Sequence, residues 1–196
     1  MPIADRETPN SRAKARILND PIIMRIIDAG KTVIPNNKLD KDLIQYFITS
    51  RDLAHPGHYN YGVNTRFAAP RQDLSNVATA MAKIQAFRDR VCEIQLQLIG
   101  MKARLDKWIK LGKIHVYDQY GVEVKSRGAN AQQEYFIDSL FLSLINKVDL
   151  IDSQLSQVNS ILANLDKAHY NYKHIGDIGL KLVDRLEGGR TVTHGA

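Results

Sequence analysis

Few residues in this chain could do covalent or metal chemistry, and their spacing limits what that chemistry would be. Cys92 is the single cysteine, so an internal disulfide is excluded and a reducing compartment is the simpler expectation. It stands in a helical pattern with no activating base in the adjacent sequence, and reads as an inert thiol. His55 and His58, in the run His-Pro-Gly-His, offer two metal ligands where a stable site needs three or four, and a polar loop is the strongly favoured reading. His169 falls on an apolar helical stripe and His174 follows Lys173, where it would touch a phosphate or nothing. The acids of the second half spread along one helix face without forming a catalytic pair. No phosphate-cradling glycine loop, nucleophile elbow or His-Glu-x-x-His zinc motif occurs. The expectation is a protein that is not an enzyme and has neither cofactor nor metal.

Charge is more informative. Between Lys102 and Arg127 stand seven bases, Lys102, Arg104, Lys107, Lys110, Lys113, Lys125 and Arg127, against three acids, Asp106, Asp118 and Glu123. From Gly128 to Asp166 the only base is Lys147, against Glu134, Asp138, Asp149, Asp152 and Asp166. Trp108, Tyr117 and Tyr120 are interleaved with the basic run. Cations supply attraction to phosphates and aromatic rings a stacking face for any base, the combination a sequence-independent single-strand binder uses. The alternative is a solvated helix end whose lysines complement the helix dipole, with Trp108 in the core.

The elements that must position these residues are helical. With Val77 as the first position of a seven-residue repeat, Ile84, Val91, Leu98 and Leu105 follow. Ala80, Phe87, Ile94, Met101 and Trp108 form the second apolar row, a sustained coiled-coil signature. This helix is expected from Asp73 to Leu111, with Gly112 as its stop. Residues 113–126 then change period: Ile114, Val116, Val122 and Val124 alternate with polar residues around a Tyr-Gly turn, which predicts a β-hairpin. A second long helix is expected from Asn130 to about Tyr172, with Ile137, Leu144, Ile151, Val158 and Leu165 in one row and Phe141, Val148, Leu155 and Leu162 in the other. A connector of about 17 residues between two such helices favours an antiparallel pair. Upstream, Asp20-Pro21 reads as a helix restart, and Leu43, Ile44, Phe47 and Ile48 mark a helix from about Asp40 to Leu53.

The expected organisation is therefore an N-terminal helical region at 1–53, a loop at 54–72, a coiled-coil hairpin with a β tip at 73–186, and a flexible tail at 187–196. The fold class is all-α. A two-helix pair buries one stripe of each helix, and Phe136, Leu140, Leu142 and Ile145 widen the second, so further helices or subunits are expected to pack there; a homo-oligomer is the natural outcome. The 196 residues carry 27 Lys and Arg against 21 Asp and Glu, a moderately basic balance that permits a nucleic-acid partner without requiring one. The first residues contain no apolar signal region and no stretch long enough to span a bilayer, which places the expected protein in the cytoplasm, with no membrane partner.

Two runs, Met101-Lys102-Ala103-Arg104-Leu105-Asp106-Lys107-Trp108 and Tyr172-Lys173-His174-Ile175-Gly176-Asp177-Ile178, resemble in order and separation the UvsY-type recombination mediators of tailed bacteriophages. The resemblance covers about residues 84–186. The chain departs from that pattern in some 70 additional N-terminal residues, in its connector, and at Lys107, where the family has an aromatic residue. What the resemblance implies is a small ring-forming helical protein that binds single-stranded DNA. Such a protein engages the phage single-strand-binding protein and helps load the recombinase onto DNA, in the host cytoplasm. Lys102 and Arg104 correspond to the family's DNA-contacting pair. The rival expectation is a structural or assembly protein of the scaffold or neck kind, whose coiled coil only assembles.

Overall fold

Asp20 caps the first turn of a helix and Pro21 opens it: the Asp20 carboxylate accepts from the Ile22 and Ile23 backbone N–H groups at 2.7 and 3.2 Å. That local chemistry separates α1 (Pro9–Leu18) from α2 (Pro21–Thr32). The computed structural model describes residues 9–33, 37–54 and 70–188, with side chains for 11–33, 40–54 and 72–186. Four further helices follow: α3 (Asn37–Ala54), α4 (Pro70–Lys125), α5 (Asn130–Leu140) and α6 (Leu142–Gly188). The described residues contain no strand, so the class is all-α as expected. Most of the loop expected at 54–72, including His55 and His58, and nearly all of the tail at 187–196 lie outside the described residues.

The chain packs as two compact units, Met1–Asn36 with Leu98–Ser153, and Asn37–Gln97 with Gln154–Ala196. In the first unit α4 and the α5–α6 segment run antiparallel, since Lys102 pairs with Asp152 and Lys113 with Asp138. α2 lies against both: its start meets His115 and Tyr120 of α4, and its end meets Leu144 and Lys147 of α6. The core here is Ile17, Ile23, Ile26, Leu98, Leu105, Val116, Val124, Phe136, Ile137, Leu140, Phe141, Leu144 and Ile151. In the second unit α4 and α6 are again antiparallel, through Arg88 with Asp166 and Gln95 with Asn159. α3 runs parallel to α6, through Gln154 to Asp40 and Asn164 to Ser50. Tyr46 packs edge-on to Phe87 with ring centroids 5.2 Å apart, beneath the Arg90 guanidinium.

The heptad reading holds on α4, where Val77, Ile84, Val91, Leu98 and Leu105 are all buried to 3 % exposure or less. The companion row is half-buried at Phe87, Ile94, Met101 and Trp108, with only Ala80 fully covered. In the second half Ile137, Leu144, Ile151, Val158 and Leu165 are buried as expected, and so is Phe141. Val148, Leu155 and Leu162 are only half-buried. The buried companions include Gln154 and Ile161, each one residue before a leucine, and Ala168, one before His169. Both rows alternate steps of three and four with the first row, so spacing alone does not decide which is covered; Phe141, four after Ile137, is itself buried.

The expected β-hairpin is absent. Residues 113–125 continue α4 as helix, with one non-helical residue, Tyr120 (φ −122°, ψ 20°). Of the four alternating residues, Val116 and Val124 are fully buried while Ile114 and Val122 are 47 % and 86 % exposed. Buried positions 105, 112, 116 and 124 lie on one helical face, and the apparent period of two came from β-branched residues on opposite faces. Gly112 does not stop the helix either. A Cβ there would lie 2.5 Å from the Phe141 ring, so glycine is present because the ring approaches the backbone. Gly30 plays the same part against Leu144 within α2. The real connector is four residues, turned by Gly128 at φ 102°. The second helix is interrupted at Phe141 (φ −105°) and then continues through Gly176 and Gly179, beyond the expected end near Tyr172.

Candidate functional site

The charge blocks seen in the sequence lie opposite one another in three dimensions, and this divides the seven expected binding cations. Lys102 donates to both carboxylate oxygens of Asp152, at 2.5 and 2.6 Å, and this bond raises its pKa above the ordinary lysine value. Lys113 pairs with Asp138 at 2.5 Å. The Arg127 guanidinium sits 4.6 Å from the centre of the Phe136 ring, a cation–π contact. Those three are tied to the fold of the first unit. Arg104, Lys107, Lys110 and Lys125 are exposed, and the described residues hold no ion-pair partner for them.

Arg104, Lys107 and Lys110 follow at three-residue steps. On a helix of 3.6 residues per turn this keeps them within about a third of the circumference. Ile99, Leu111, Ile114 and Tyr117 are exposed on the same side of α4, at 49, 42, 47 and 43 %. This is a solvent face that mixes cations with apolar and aromatic groups. The other two aromatics are committed to packing: Trp108 is half-buried. Tyr120 donates to Asp20 at 2.9 Å, which raises its pKa, and stacks under Arg16.

The Asp20 cluster was invisible in the sequence. His115 Nε2 lies 3.2 Å from Asp20 Oδ2. A carboxylate only accepts, so that nitrogen carries the proton. Burial pushes the Asp20 carboxyl up, but the bonds from His115, Tyr120, Ile23 and Ile22 outweigh it and hold its pKa at about 2. Arg16 pairs with Glu123 beside it. The arrangement docks α1 and α2 onto the kinked end of α4. Its carboxylate is fully used in capping and docking.

A second feature of the first unit is a cleft of about 760 Å³ where α1, the end of α4 and α5 meet. Lys14, Arg127, Gln132, Tyr135 and Ser139 line it. Only Arg127 was singled out by sequence; the others are spread over residues 14–139 and share no motif. Among the described residues no group of three His, Cys, Asp or Glu side chains could hold a metal. Cys92 is a half-buried free thiol. No described helix is long and apolar enough to cross a membrane. Comparison with known protein families, curated proteins and solved structures finds no match for this chain.

Proposed function

We propose that this chain is a non-enzymatic single-stranded DNA-binding accessory protein of the recombination-mediator kind. It would work as a homo-oligomer that engages a recombinase and a single-strand-binding protein in the cytoplasm. The observation that carries the reading is the set of exposed cations on α4 without acidic partners among the described residues, Arg104, Lys107, Lys110 and Lys125, together with the exposed Tyr117 ring. Lys102, Lys113 and Arg127 support this face by holding α4 to α5 and α6. Multiple copies of a weak cationic face in one assembly would give tight binding without any strong single site.

The test is binding of a fluorescent unstructured oligothymidylate across a salt series. Arg104→Ala/Lys107→Ala/Lys110→Ala is expected to flatten the log–log salt slope by about 0.7 for each phosphate no longer neutralised. Lys102→Ala should leave the slope unchanged. A triple variant with the wild-type slope would remove the assignment. Recombinase filament assembly on strands coated with single-strand-binding protein then tests the mediator role: addition of the protein should shorten the lag.

A scaffold or neck-type assembly protein is the second reading. It is favoured by Ile44, Phe47 and Ile48, which leave α3 with 56, 38 and 38 % exposed apolar surface. Ile44 and Phe47 edge a cleft of about 300 Å³ with Ser156, Gln157 and Ser160. Recovery of the protein in purified particles rather than the soluble fraction would favour that reading.

A further inference from the structure

In the second unit α6 reverses the sign of its charge. From Lys167 to Arg185 four bases, Lys167, Lys173, Lys181 and Arg185, stand against two acids, Asp177 and Asp184, where the preceding stretch of the helix is acidic. Their register matters more than their number. At about 100° per residue, Lys167, Tyr170, His174, Lys181 and Arg185 fall within about 60° of one another, and all five are exposed. The buried stripe of the same segment, Leu165, Ala168 and Tyr172, lies on the opposite side of the helix. Lys167, His174 and Lys181 follow one another at seven-residue steps, which keeps them in a nearly straight row. The neighbours of α6 leave this row uncovered. α4 reaches the helix on one flank, where Arg88 holds Asp166 at 2.9 Å. α3 ends on the other, where Asn171 donates to the Ala54 carbonyl at 3.2 Å.

The described residues hold no ion-pair partner for Lys167, Lys181 or Arg185. The acids Asp177 and Asp184 share the register of Asp166, to one side of the row, and Asp166 is already held by Arg88. The segments 55–69, between α3 and α4, and 189–196, after α6, contain no Asp or Glu. Within the row the Tyr170 ring is 74 % exposed, with Lys167 one turn before it and His174 one turn after. Cations at both ends attract phosphates, and two flat rings one turn apart offer stacking faces between them. The bases of a duplex are already stacked on one another, so exposed rings favour an unpaired strand. From Lys167 to Arg185 the row is about 27 Å long, enough for a few nucleotides. We propose that this face of α6 is a second contact surface for single-stranded nucleic acid, in which Lys167, Lys181 and Arg185 engage phosphates and Tyr170 and His174 stack on bases. It rests on the ligand class read for α4 but shares none of that face's residues, so either can fail alone.

The full-length protein is titrated into fluorescent oligothymidylate across a salt series. Lys167→Ala/Lys181→Ala/Arg185→Ala is expected to flatten the log–log salt slope by about 0.7 for each phosphate no longer neutralised, about 2 in all. Tyr170→Ala should weaken binding by about 5- to 100-fold at every salt concentration, the scale of one base stack removed, and leave the slope unchanged because the ring carries no charge. Both effects should persist in the Arg104→Ala/Lys107→Ala/Lys110→Ala background. Tyr170→Trp reports the contact directly: added strand should quench its emission beyond the change seen at Trp108 in the wild type. All these α6 positions are exposed, and circular dichroism confirms that each variant is folded. A wild-type slope in the α6 triple variant, together with wild-type affinity in Tyr170→Ala, overturns the proposal and leaves the α4 face standing. A flattened slope in the α6 variant with a wild-type slope in the α4 variant supports this face and removes the other. Competition by polyglutamate as strong as by unlabelled oligothymidylate, with Tyr170→Ala binding as wild type, would assign the face to an acidic protein segment and overturn its assignment to a strand.

Discussion

Removal of the Asp20 carboxylate should destabilise the first unit by an amount the structure allows to be worked out. Asp20 Oδ1 takes two backbone N–H groups at the start of α2, and Oδ2 takes His115 and Tyr120 from α4. Loss of an N-cap costs about 1 kcal/mol. Each half-buried donor left without its carboxylate adds about 1 kcal/mol. Asp20→Ala is therefore expected to cost about 3 kcal/mol. An independent route comes from titration. The carboxyl pKa falls from an ordinary 3.8 to about 2 on folding, and at about 1.4 kcal/mol per pKa unit this is about 2 kcal/mol of linked stability. Asp20→Asn, which loses the charge but retains a capping oxygen, should cost about that amount.

The two figures separate by pH. A carboxyl with a depressed folded pKa contributes stability that is fully present above its unfolded value, here near 3.8, and is lost as pH falls toward about 2. The difference between wild type and Asp20→Asn should thus be constant from neutrality to about pH 4 and shrink below it. Urea unfolding followed at Trp108 reads the relevant region, because Trp108 is the single tryptophan and lies half-buried in the first unit. A double-mutant cycle of Asp20→Ala with Tyr120→Phe should show coupling of about 1 kcal/mol. The reasoning is refuted if Asp20→Ala unfolds within about 0.5 kcal/mol of wild type, the scatter of ordinary surface substitutions.

Other substitutions test the remaining packing. Gly112→Ala should cost about 1–3 kcal/mol, because its Cβ would meet the Phe141 ring at 2.5 Å. Gly100→Ala, with open space around it, should stabilise by about 0.5–1 kcal/mol; urea midpoints decide both signs. Val116→Ala should cost about 1–3 kcal/mol and Val122→Ala almost nothing, since they are 0 % and 86 % exposed. Equal costs would reinstate a strand-like alternation. Lys147 donates to the Gly30, Lys31 and Val33 carbonyls at 2.9, 3.1 and 2.8 Å, a cationic cap on the end of α2. Lys147→Met should cost about 2 kcal/mol and accelerate amide exchange in the last turn of α2.

What was legible in the sequence was what depends on neighbours a few residues apart. Asp20-Pro21 announced a helix start because a cap and a first-turn proline act within one turn. Val77 to Leu105 announced a buried stripe because five repeats of seven leave no competing period. The region after Gly112 was misread because glycine marks helix ends in local statistics, whereas here it accommodates a ring 29 positions away, at Phe141. The offset of the second stripe is subtler. Leu155 is more apolar than Gln154, yet Gln154 is the buried one, because α3 presents Asp40 to it in the second unit. Composition assigned the interior to the leucines, and a partner 114 residues distant assigned it to the glutamine. The Asp20 bonds to His115 and Tyr120, 95 and 100 residues away, have no sequence signature at all.

The candidate site obeys the same logic. A run of seven bases looks uniform in a sequence, since each side chain contributes one charge whatever it faces. In the fold the acidic second half lies alongside, and Lys102 and Lys113 meet Asp152 and Asp138. A partly exposed ion pair of this kind contributes little to stability, but it does settle which cations remain available. A phosphate approaching Lys102 must compete with a carboxylate already at 2.5 Å, whereas one approaching Lys107 competes only with water. The face that can attract a polyanion is therefore set by which side of α4 turns away from its acidic partners, since Lys102 and Lys113 pair on either side of Arg104, Lys107 and Lys110. This is why Arg104, Lys107 and Lys110, rather than Lys102, are the substitutions that should change the salt dependence of strand binding.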